Sequence, residues 1–271
     1  MTTKVSAESL FHYTPEIENL EGILAEGFRF SLCQEELPLS GYRNNPFDQF
    51  GITKHVHDCE IVCFCDLPIS QTEDHRKQYG DYAIALTKNW GQSKGVTPVR
   101  YVHKNSPDFL SETSSVVMDL YRDMPQYDEN IFVQLAEVTG VAPTIEELQA
   151  IPDSVKKLMV ITNETFQELL SHCRKLMPLV RLYEGDWCDR ASEGRGTRRF
   201  YDEKEWRAVP SKDNDRLTFT FEDVTRIIVK TEDEVRRIGN YIIANQTILR
   251  VTDTVATWRK IQTWDELRRD G

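Results

Sequence analysis

The chain has 271 residues and a net charge of −11, a size that fits one large domain or a core domain with an insertion. Its hydrophobic content of 39% and charged content of 28% are typical of a water-soluble globular protein. No apolar run reaches about 18 residues and no secretory signal opens the chain, so a cytoplasmic protein with no membrane contact is expected. The acidic balance argues against a broad phosphate-binding surface.

The N-terminal part predicts a strand followed by a helix and a long loop. Residues 10–13 are short and aromatic, and Thr14 and Pro15 are expected to cap and begin a helix that ends at Gly27. Residues 33–59 contain several prolines and glycines, which predicts a functional loop.

Further along, residues 61–65 predict a buried strand and residues 82–86 another. Between them, Ser70 and Glu73 have the spacing of a capping box, so a helix is expected to begin there and to end near Gly80.

Residues 104–180 contain long amphipathic stretches, which predict a helical insertion. The chain is therefore expected to divide into residues 1–103, 104–180 and 181–271, with the first and last parts forming one core. After the insertion, strands are predicted at 207–209, 217–221 and 227–229, a helix capped by Thr231 and Glu234, and a short helix at 263–266. Strands at both ends with helices between them indicate an α+β fold.

The segment HVHDCEIVCFC, residues 55–65, contains five side chains of the kinds that bind zinc. Structural zinc sites usually combine two well-spaced pairs of ligands, whereas these ligands alternate along one strand and no second cluster follows. Six cysteines are also too few for a disulfide scaffold. We therefore expect free, buried cysteines and no metal.

Two further segments carry candidate functional residues. His12, in FHYT, is by pattern alone a core histidine, although its position at a strand-to-helix junction favours a role in a cleft. Glu205, in YDEKEWRAVP, alternates with Glu203 and Arg207, which by itself indicates a solvated strand with an ion pair across one face. The Arg/Gly-rich residues 190–199 just before it form the one concentrated basic segment of an acidic chain.

Several segments, in order along the chain, resemble the AbiGi family of abortive-infection (phage-resistance) proteins. They are FHYTPEIENLEGILAEGF, FCDLPISQTEDHRKQYGDYAIALTKNW, GVTPVRYV, LVRLYEGDW, RRFYDEKEWRAVP, FEDVTRIIVKTEDE and IQTWDEL. This resemblance implies a protein of a two-gene defence pair in which AbiGi is the antitoxin, and hence a cognate toxin as its partner.

A looser resemblance is to ADP-ribosyltransferase-like folds, in which a split β-sheet holds NAD in a cleft. It implies that the catalytic residues are Glu205, as the carboxylate, and His12, which binds the adenosine-side ribose. It also implies that backbone near Thr14 holds the nicotinamide amide. Glu203 remains an alternative to Glu205, since both lie on the same predicted face. Aromatic support for the cofactor would come from Tyr13, Tyr79 and Tyr82.

In that comparison the segment before the late-strand glutamate is where the target is often recognised. The resemblance therefore implies that Arg195, Arg198 and Arg199 contact a nucleic-acid or protein acceptor. Two functions follow. One is a phage-defence ADP-ribosyltransferase-like effector that consumes NAD, and the alternative is a non-catalytic antitoxin that binds a toxin through the 104–180 helices.

Overall fold

The computed structural model describes residues 6–38, 54–103, 176–188, 195–211, 215–246 and 249–269, with positions 154 and 168. The chain divides into one unit of residues 1–37, 56–104 and 178–271 and a second of residues 38–55 and 105–177. The helices predicted for 104–180 lie almost wholly outside the described residues, so the helical insertion stays a prediction. None of the helices in the described part combines the length and apolar composition that crossing a bilayer requires.

The strands are, in chain order, β1 (Ser9–Thr14), β2 (Phe28–Arg29), β3 (Ser31–Pro38), β4 (Lys54–Cys65), β5 (Tyr82–Thr87), β6 (Thr97–Pro98), β7 (Arg100–Val102), β8 (Val180–Leu182), β9 (Glu184–Cys188), β10 (Arg195–Arg199), β11 (Glu205–Ala208), β12 (Arg216–Leu217), β13 (Val224–Val229) and β14 (Ile261–Thr263). The α-helices are α1 (Ile17–Glu26), α2 (Glu73–Tyr79), α3 (Lys88–Ser93), α4 (Glu232–Ala244), α5 (Thr254–Lys260) and α6 (Trp264–Arg269). Short 3-10 turns cover Ile69–Gln71, Met177–Leu179 and Phe200–Glu203.

Eight of these strands form one mixed sheet with the order β14-β13-β5-β1-β4-β11-β6, and β3 pairs with β4. The pair β13–β14 is parallel, whereas β13–β5, β5–β1, β1–β4, β4–β11 and β11–β6 are antiparallel. Three two-stranded sheets join β9 to β10, β2 to β12 and β7 to β8. This mixture of a largely antiparallel sheet with segregated helices confirms the α+β class.

Both faces of the large sheet are covered, because successive side chains of a strand point to opposite sides. We call the two sides the first and the second face. On the first face, Leu10, Phe64 and Ile84 pack with Leu20 of α1 and Ile238 of α4. The second face is lined by buried residues from the sheet and from α6, namely Phe11, Tyr13, Cys65, Ala83, Ala85, Ile228, Trp264 and Leu267.

The predicted helix starts differ from the observed ones at two places. Thr14 does not cap α1, because it is the buried last residue of β1 and the N-cap is Glu16, without a side-chain cap bond. Gly27 ends α1 as predicted, and its N–H donates to Ile23 O at 2.9 Å. The capping box at Ser70 is also wrong, since a 3-10 turn occupies Ile69–Gln71 and α2 begins only after Thr72.

Other boundaries moved as well. The loop predicted at 33–59 is wrong at both ends, where β3 and the twelve-residue β4 are strands, and residues 39–53 lie outside the described part. The strand predicted at 217–221 is limited to Arg216–Leu217, and a turn follows at 221–223. The capping box of Thr231 and Glu234 is confirmed, since both reciprocal hydrogen bonds form at the start of α4.

Two glycines allow close approaches that hold elements together. Gly80, after α2, has φ +117°, and a Cβ there would lie 2.3 Å from Thr14 O. Gly239, in α4, faces the indole of Trp258 in α5, where a Cβ would lie 2.2 Å from a ring carbon. Any side chain at either position would push apart two packed elements.

Candidate functional site

A cluster of buried charged side chains lies on the second face beside β11. Glu205 is its centre, because Arg207 Nε donates to Glu205 Oε1 at 2.9 Å and Arg181 Nη1 donates to the other carboxylate oxygen. Arg207 is only 1% exposed and also donates to Glu35 at 2.5 Å. The buried charge cluster balances three carboxylates with three guanidinium groups, namely Glu35, Glu203, Glu205, Arg181, Arg198 and Arg207.

Glu203 belongs to the same cluster although it is not on the strand. It lies in the 3-10 turn Phe200–Glu203, and the left-handed residue Lys204 (φ 44°) turns the chain back into β11. Glu203 Oε2 accepts from Arg181 Nη1 at 2.9 Å, and Oε1 lies 3.1 Å from Arg198 Nε. The predicted common face of Glu203 and Glu205 is thus reached through a turn, and both carboxylates contact the same arginine.

The electrostatics keep Glu205 ionised. Burial alone would raise its pKa, but the neighbouring Arg207 and Arg181 outweigh burial and lower the pKa to about 2. The same carboxylate raises the pKa of both arginines against the effect of their own burial. Since both oxygens of Glu205 already accept from guanidinium groups, this carboxylate is a poor proton carrier near neutral pH.

Aromatic side chains continue the cluster toward α2. Tyr79 donates from its hydroxyl to Glu203 Oε2 at 3.2 Å. His75 lies between Tyr79 and Tyr13, with ring centroids 4.4 and 4.9 Å away. Burial, with Arg198 adding to it, lowers the pKa of His75 to about 3, so its ring is neutral. Its Nδ1 is buried without a hydrogen-bond partner among the described residues.

His12 lies elsewhere, in the aromatic core of the first face. Its Nδ1 is 2.8 Å from Cys63 O, and its ring packs edge-on against Phe28 at 5.0 Å and near Phe64 at 5.7 Å. Burial lowers the pKa of His12, which keeps it uncharged. These contacts are those of a histidine that fills a core and satisfies a backbone carbonyl.

The strand register separates His12 from Glu205. Phe11 pairs with Cys65, and Cys65 pairs on its other side with Glu205, so these three residues share the second face. His12 follows Phe11 directly in β1 and therefore points to the opposite face. The structure does not bring the two predicted catalytic residues into one cleft.

The other predicted cofactor residues are also divided between the faces. Tyr13 and Tyr79 lie with the buried charge cluster on the second face. Thr14 pairs with Tyr82 on the first face, and the Tyr82 hydroxyl donates to Glu234 Oε1 at 2.6 Å. Only Tyr79, of the predicted aromatic supports, contacts a carboxylate of the cluster.

The predicted target-recognition arginines belong to the β9–β10 hairpin. Arg198 turns inward to the buried Glu203, whereas Arg199 is exposed and lies 3.8 Å from Asp202. Arg195 begins β10, and its side chain lies outside the described residues. Of the arginines whose side chains are described, Arg199 therefore remains available to a partner, and Arg198 has a structural contact.

Sequence reasoning missed Arg181 and His75. Arg181 carried a signal, since a charged residue flanked by Val180 and Leu182 in an otherwise apolar strand needs a buried partner. His75 carried none, because it lies among polar residues of a short helix whose orientation depends on Gly80.

The cysteine-rich strand holds free thiols. Cys59 and Cys65 are buried and Cys63 is half-buried, and burial raises the pKa of Cys65 to about 12. Within the described residues no group of three or more His, Cys, Asp or Glu side chains is arranged to hold a metal. The side chains of His55 and His57 lie outside that part.

A cleft of about 430 Å³ opens where α1 ends, and no residue of the buried charge cluster lines it. Phe219, Asp223 and Arg250 are among its lining residues, and none of the predicted site residues is. It therefore adds nothing to the predicted NAD site.

No solved structure matches the chain, so the ADP-ribosyltransferase-like split sheet stays a prediction. A curated protein from Lactococcus lactis subsp. cremoris, "Abortive phage resistance protein AbiGi", is 24% identical over 184 residues, which are 64% of this chain and 60% of that protein. The chain thus matches less than two thirds of that relative's length. The sequence profile of the family described as "Putative abortive phage resistance protein AbiGi, antitoxin" matches residues 28–243, and the chain belongs to this AbiGi family.

Proposed function

We propose that this chain is a non-catalytic antitoxin of an abortive-infection defence against phage, which binds and neutralises a toxin protein. The description of its family as an antitoxin and the name of its lactococcal relative support this reading. In this proposal the chain binds the toxin non-covalently and does not modify it.

The observation that carries the proposal is the separation of His12 from Glu205 by the thickness of the sheet. One NAD molecule would have to reach both residues from a single cleft, with its adenosine-side ribose at His12 and its nicotinamide-side ribose at Glu205, for the implied roles to operate together. Instead, His12 fills an aromatic core, and Glu205 forms ion pairs with two buried arginines. Both residues have a structural purpose that needs no substrate.

The test is co-expression in bacteria with the product of the neighbouring gene of the pair, each under its own inducible promoter. We expect the neighbour alone to arrest growth, this chain alone to leave growth unchanged, and both together to restore growth. We also expect the two purified proteins to form a complex. Growth arrest by this chain alone would contradict the proposal.

NAD-dependent ADP-ribosyl transfer is the second candidate, and one observation favours it. The ionised Glu205 lies in the same cluster as Tyr79, an aromatic residue implied to support NAD, and a fixed carboxylate can stabilise positive charge on a ribose. The exposed Arg199 would then contact the nucleic-acid or protein acceptor. Incubating the purified protein with labelled NAD distinguishes the two candidates. If the chain is an antitoxin, neither wild type nor Glu205→Gln is expected to release nicotinamide.

A further inference from the structure

A group of partly exposed aromatic side chains lies outside the buried charge cluster. Tyr201 is 50% exposed, stacks on Tyr183 with ring centroids 5.3 Å apart, and meets the edge of Tyr101 at 5.4 Å. Arg199 lies over the Tyr183 ring at 6.0 Å, and His103 lies 6.4 Å from it. We call these residues, Tyr101, His103, Tyr183, Arg199 and Tyr201, the tyrosine patch.

The tyrosine patch is held in place by main-chain hydrogen bonds. Tyr183 N donates to Val102 O at 2.7 Å, which joins β7 to the residue between β8 and β9. Tyr201 N donates to Tyr183 O at 3.2 Å, so the two stacked rings project from linked backbones. The Tyr101 hydroxyl accepts from Glu205 N at 2.9 Å. The patch is thus anchored to β11 and is pre-organised, which lowers the entropic cost of binding.

The turn below the patch separates buried from exposed groups. In the 3-10 turn, Phe200 and Glu203 point inward, and the Arg181 guanidinium lies 4.2 Å from the Phe200 ring. Tyr201 and Asp202 point outward from the same turn. A half-exposed tyrosine therefore projects from a turn whose other side is fixed by buried charges, although burying its ring would be favourable.

The composition of the patch fits a protein partner. Tyrosine and arginine are enriched among the residues that dominate binding energy in protein interfaces, because they combine a large apolar area with a polar end. Single-stranded nucleic acid also stacks on aromatic rings, but it needs a positively charged groove beside them. Here Asp202 and Glu184 flank Arg199 and His103, and the chain carries a net charge of −11.

The charge of the chain indicates the chemistry of the partner. An acidic protein attracts a basic partner over long distances and repels polyanions, which affects the rate of encounter more than the final affinity. We propose that the tyrosine patch, rather than the 104–180 helices, is the surface on which the chain docks its cognate toxin, and that the toxin is a basic protein. This inference rests on the proposed antitoxin function and assigns the surface that performs it.

The experiment measures binding of the purified neighbouring-gene product to full-length wild type and to Tyr201→Ala. Loss of a central interface tyrosine is expected to weaken binding by about 30-fold or more. Tyr201→Phe keeps the ring and is expected to bind within about threefold of wild type. Val255→Ser is the matched control, because Val255 is 62% exposed on α5, which packs at the opposite edge of the sheet.

The outcomes distinguish an error in the proposed binding surface from an error in the proposed function. If wild type binds the toxin and Tyr201→Ala binds equally well with an unchanged melting temperature, the surface is overturned and the antitoxin function stands. If wild type does not bind, both are overturned. The second variant, Arg199→Ala, guards against misfolding of the first, because Arg199 is exposed and its loss is also expected to weaken binding.

Two further readouts test the chemistry of the partner. Raising the salt from about 50 to about 300 mM is expected to slow association, and an unchanged association rate would overturn the basic partner. A fluorescent single-stranded RNA is expected not to bind. Binding of that RNA to wild type and its loss in Tyr201→Ala would overturn the proposal in favour of nucleic acid.

Discussion

His12 and Glu205 lie on strands that both pair with β4, yet their side chains leave the sheet on opposite faces. The relationship follows from pairing alone, because Phe11, Cys65 and Glu205 are neighbours across three strands and His12 is the next residue after Phe11. A shift of one residue in either pairing would place both on one face. The register therefore separates a core histidine from a buried carboxylate.

Glu205→Gln is expected to destabilise the protein by about 3 kcal/mol, because it leaves two carboxylates against three guanidinium groups and hence one uncompensated buried positive charge. Urea unfolding followed by circular dichroism measures the change. Glu18→Gln is the control, since Glu18 is exposed where it pairs with Arg237, and it is expected to change stability little. Equal losses in the two variants would contradict the central place of Glu205 in the cluster.

Two adjacent arginines of β10 are expected to respond differently to the same substitution. Arg198→Gln removes the ion pair to Glu203, which is 3% exposed, and is expected to cost about 1–2 kcal/mol. Arg199→Gln removes an exposed pair and the contact at 6.0 Å with the Tyr183 ring, and it is expected to stay within about 0.5 kcal/mol of wild type. Thermal melting of both proteins checks the difference. A larger loss for Arg199 would mean that the hairpin alternates the other way.

His75 is expected to make stability depend on pH in the acidic range. Burial lowers its pKa to about 3, whereas the unfolded chain titrates near 6.5, so only the unfolded state gains a proton as the pH falls between these values. The free energy of unfolding therefore decreases as the pH decreases, and His75 contributes at most roughly 1.4 kcal/mol per pH unit to this change.

His75→Phe is expected to flatten that dependence and to be more stable than wild type at about pH 5, because Nδ1 has no hydrogen-bond partner to lose among the described residues. Urea unfolding from about pH 7 to about pH 5 measures both slopes. An unchanged slope in His75→Phe would exclude His75 as its source.

Two glycines are expected to give opposite results when each is replaced by alanine. Gly80→Ala is expected to cost at least about 3 kcal/mol, because its φ is +117° and the new Cβ meets Thr14 O and Pro15 Cα. Gly22 lies inside α1, and a Cβ at this position would have no neighbouring side chain or element within 4 Å. Gly22→Ala is therefore expected to stabilise the protein by about 0.5–1 kcal/mol. Melting temperatures that move in the same direction would refute the close packing around Gly80.

The sequence predicted those elements whose signals are local. The capping box at Thr231 and Glu234 and the apolar run ending at Val229 both lie in the structure where expected. The cap at Thr14 failed because pairing with Tyr82 extends β1 through that residue, so tertiary pairing outweighed capping preference. The helix α5 was not predicted, since only seven residues form it.

The site was harder to predict than the fold. Alternation placed Glu205 and Arg207 on one face, and the structure agrees. Whether they lie on the same face as His12 depends on the register between distant strands, and no local pattern contains that information. Arg181 and Glu203 are 22 residues apart in the sequence, so the residues around Arg181 do not indicate its partner.

The close contact between Gly239 of α4 and Trp258 of α5 has a consequence for how these two helices can change in evolution. Because the Trp258 indole occupies the space where a side chain at 239 would stand, neither position can change alone without opening a void or a clash. We expect homologues with a bulkier residue at the first position to carry a smaller one at the second. Positions 239 and 258 are therefore expected to covary, because their residues are in contact where α4 packs against α5.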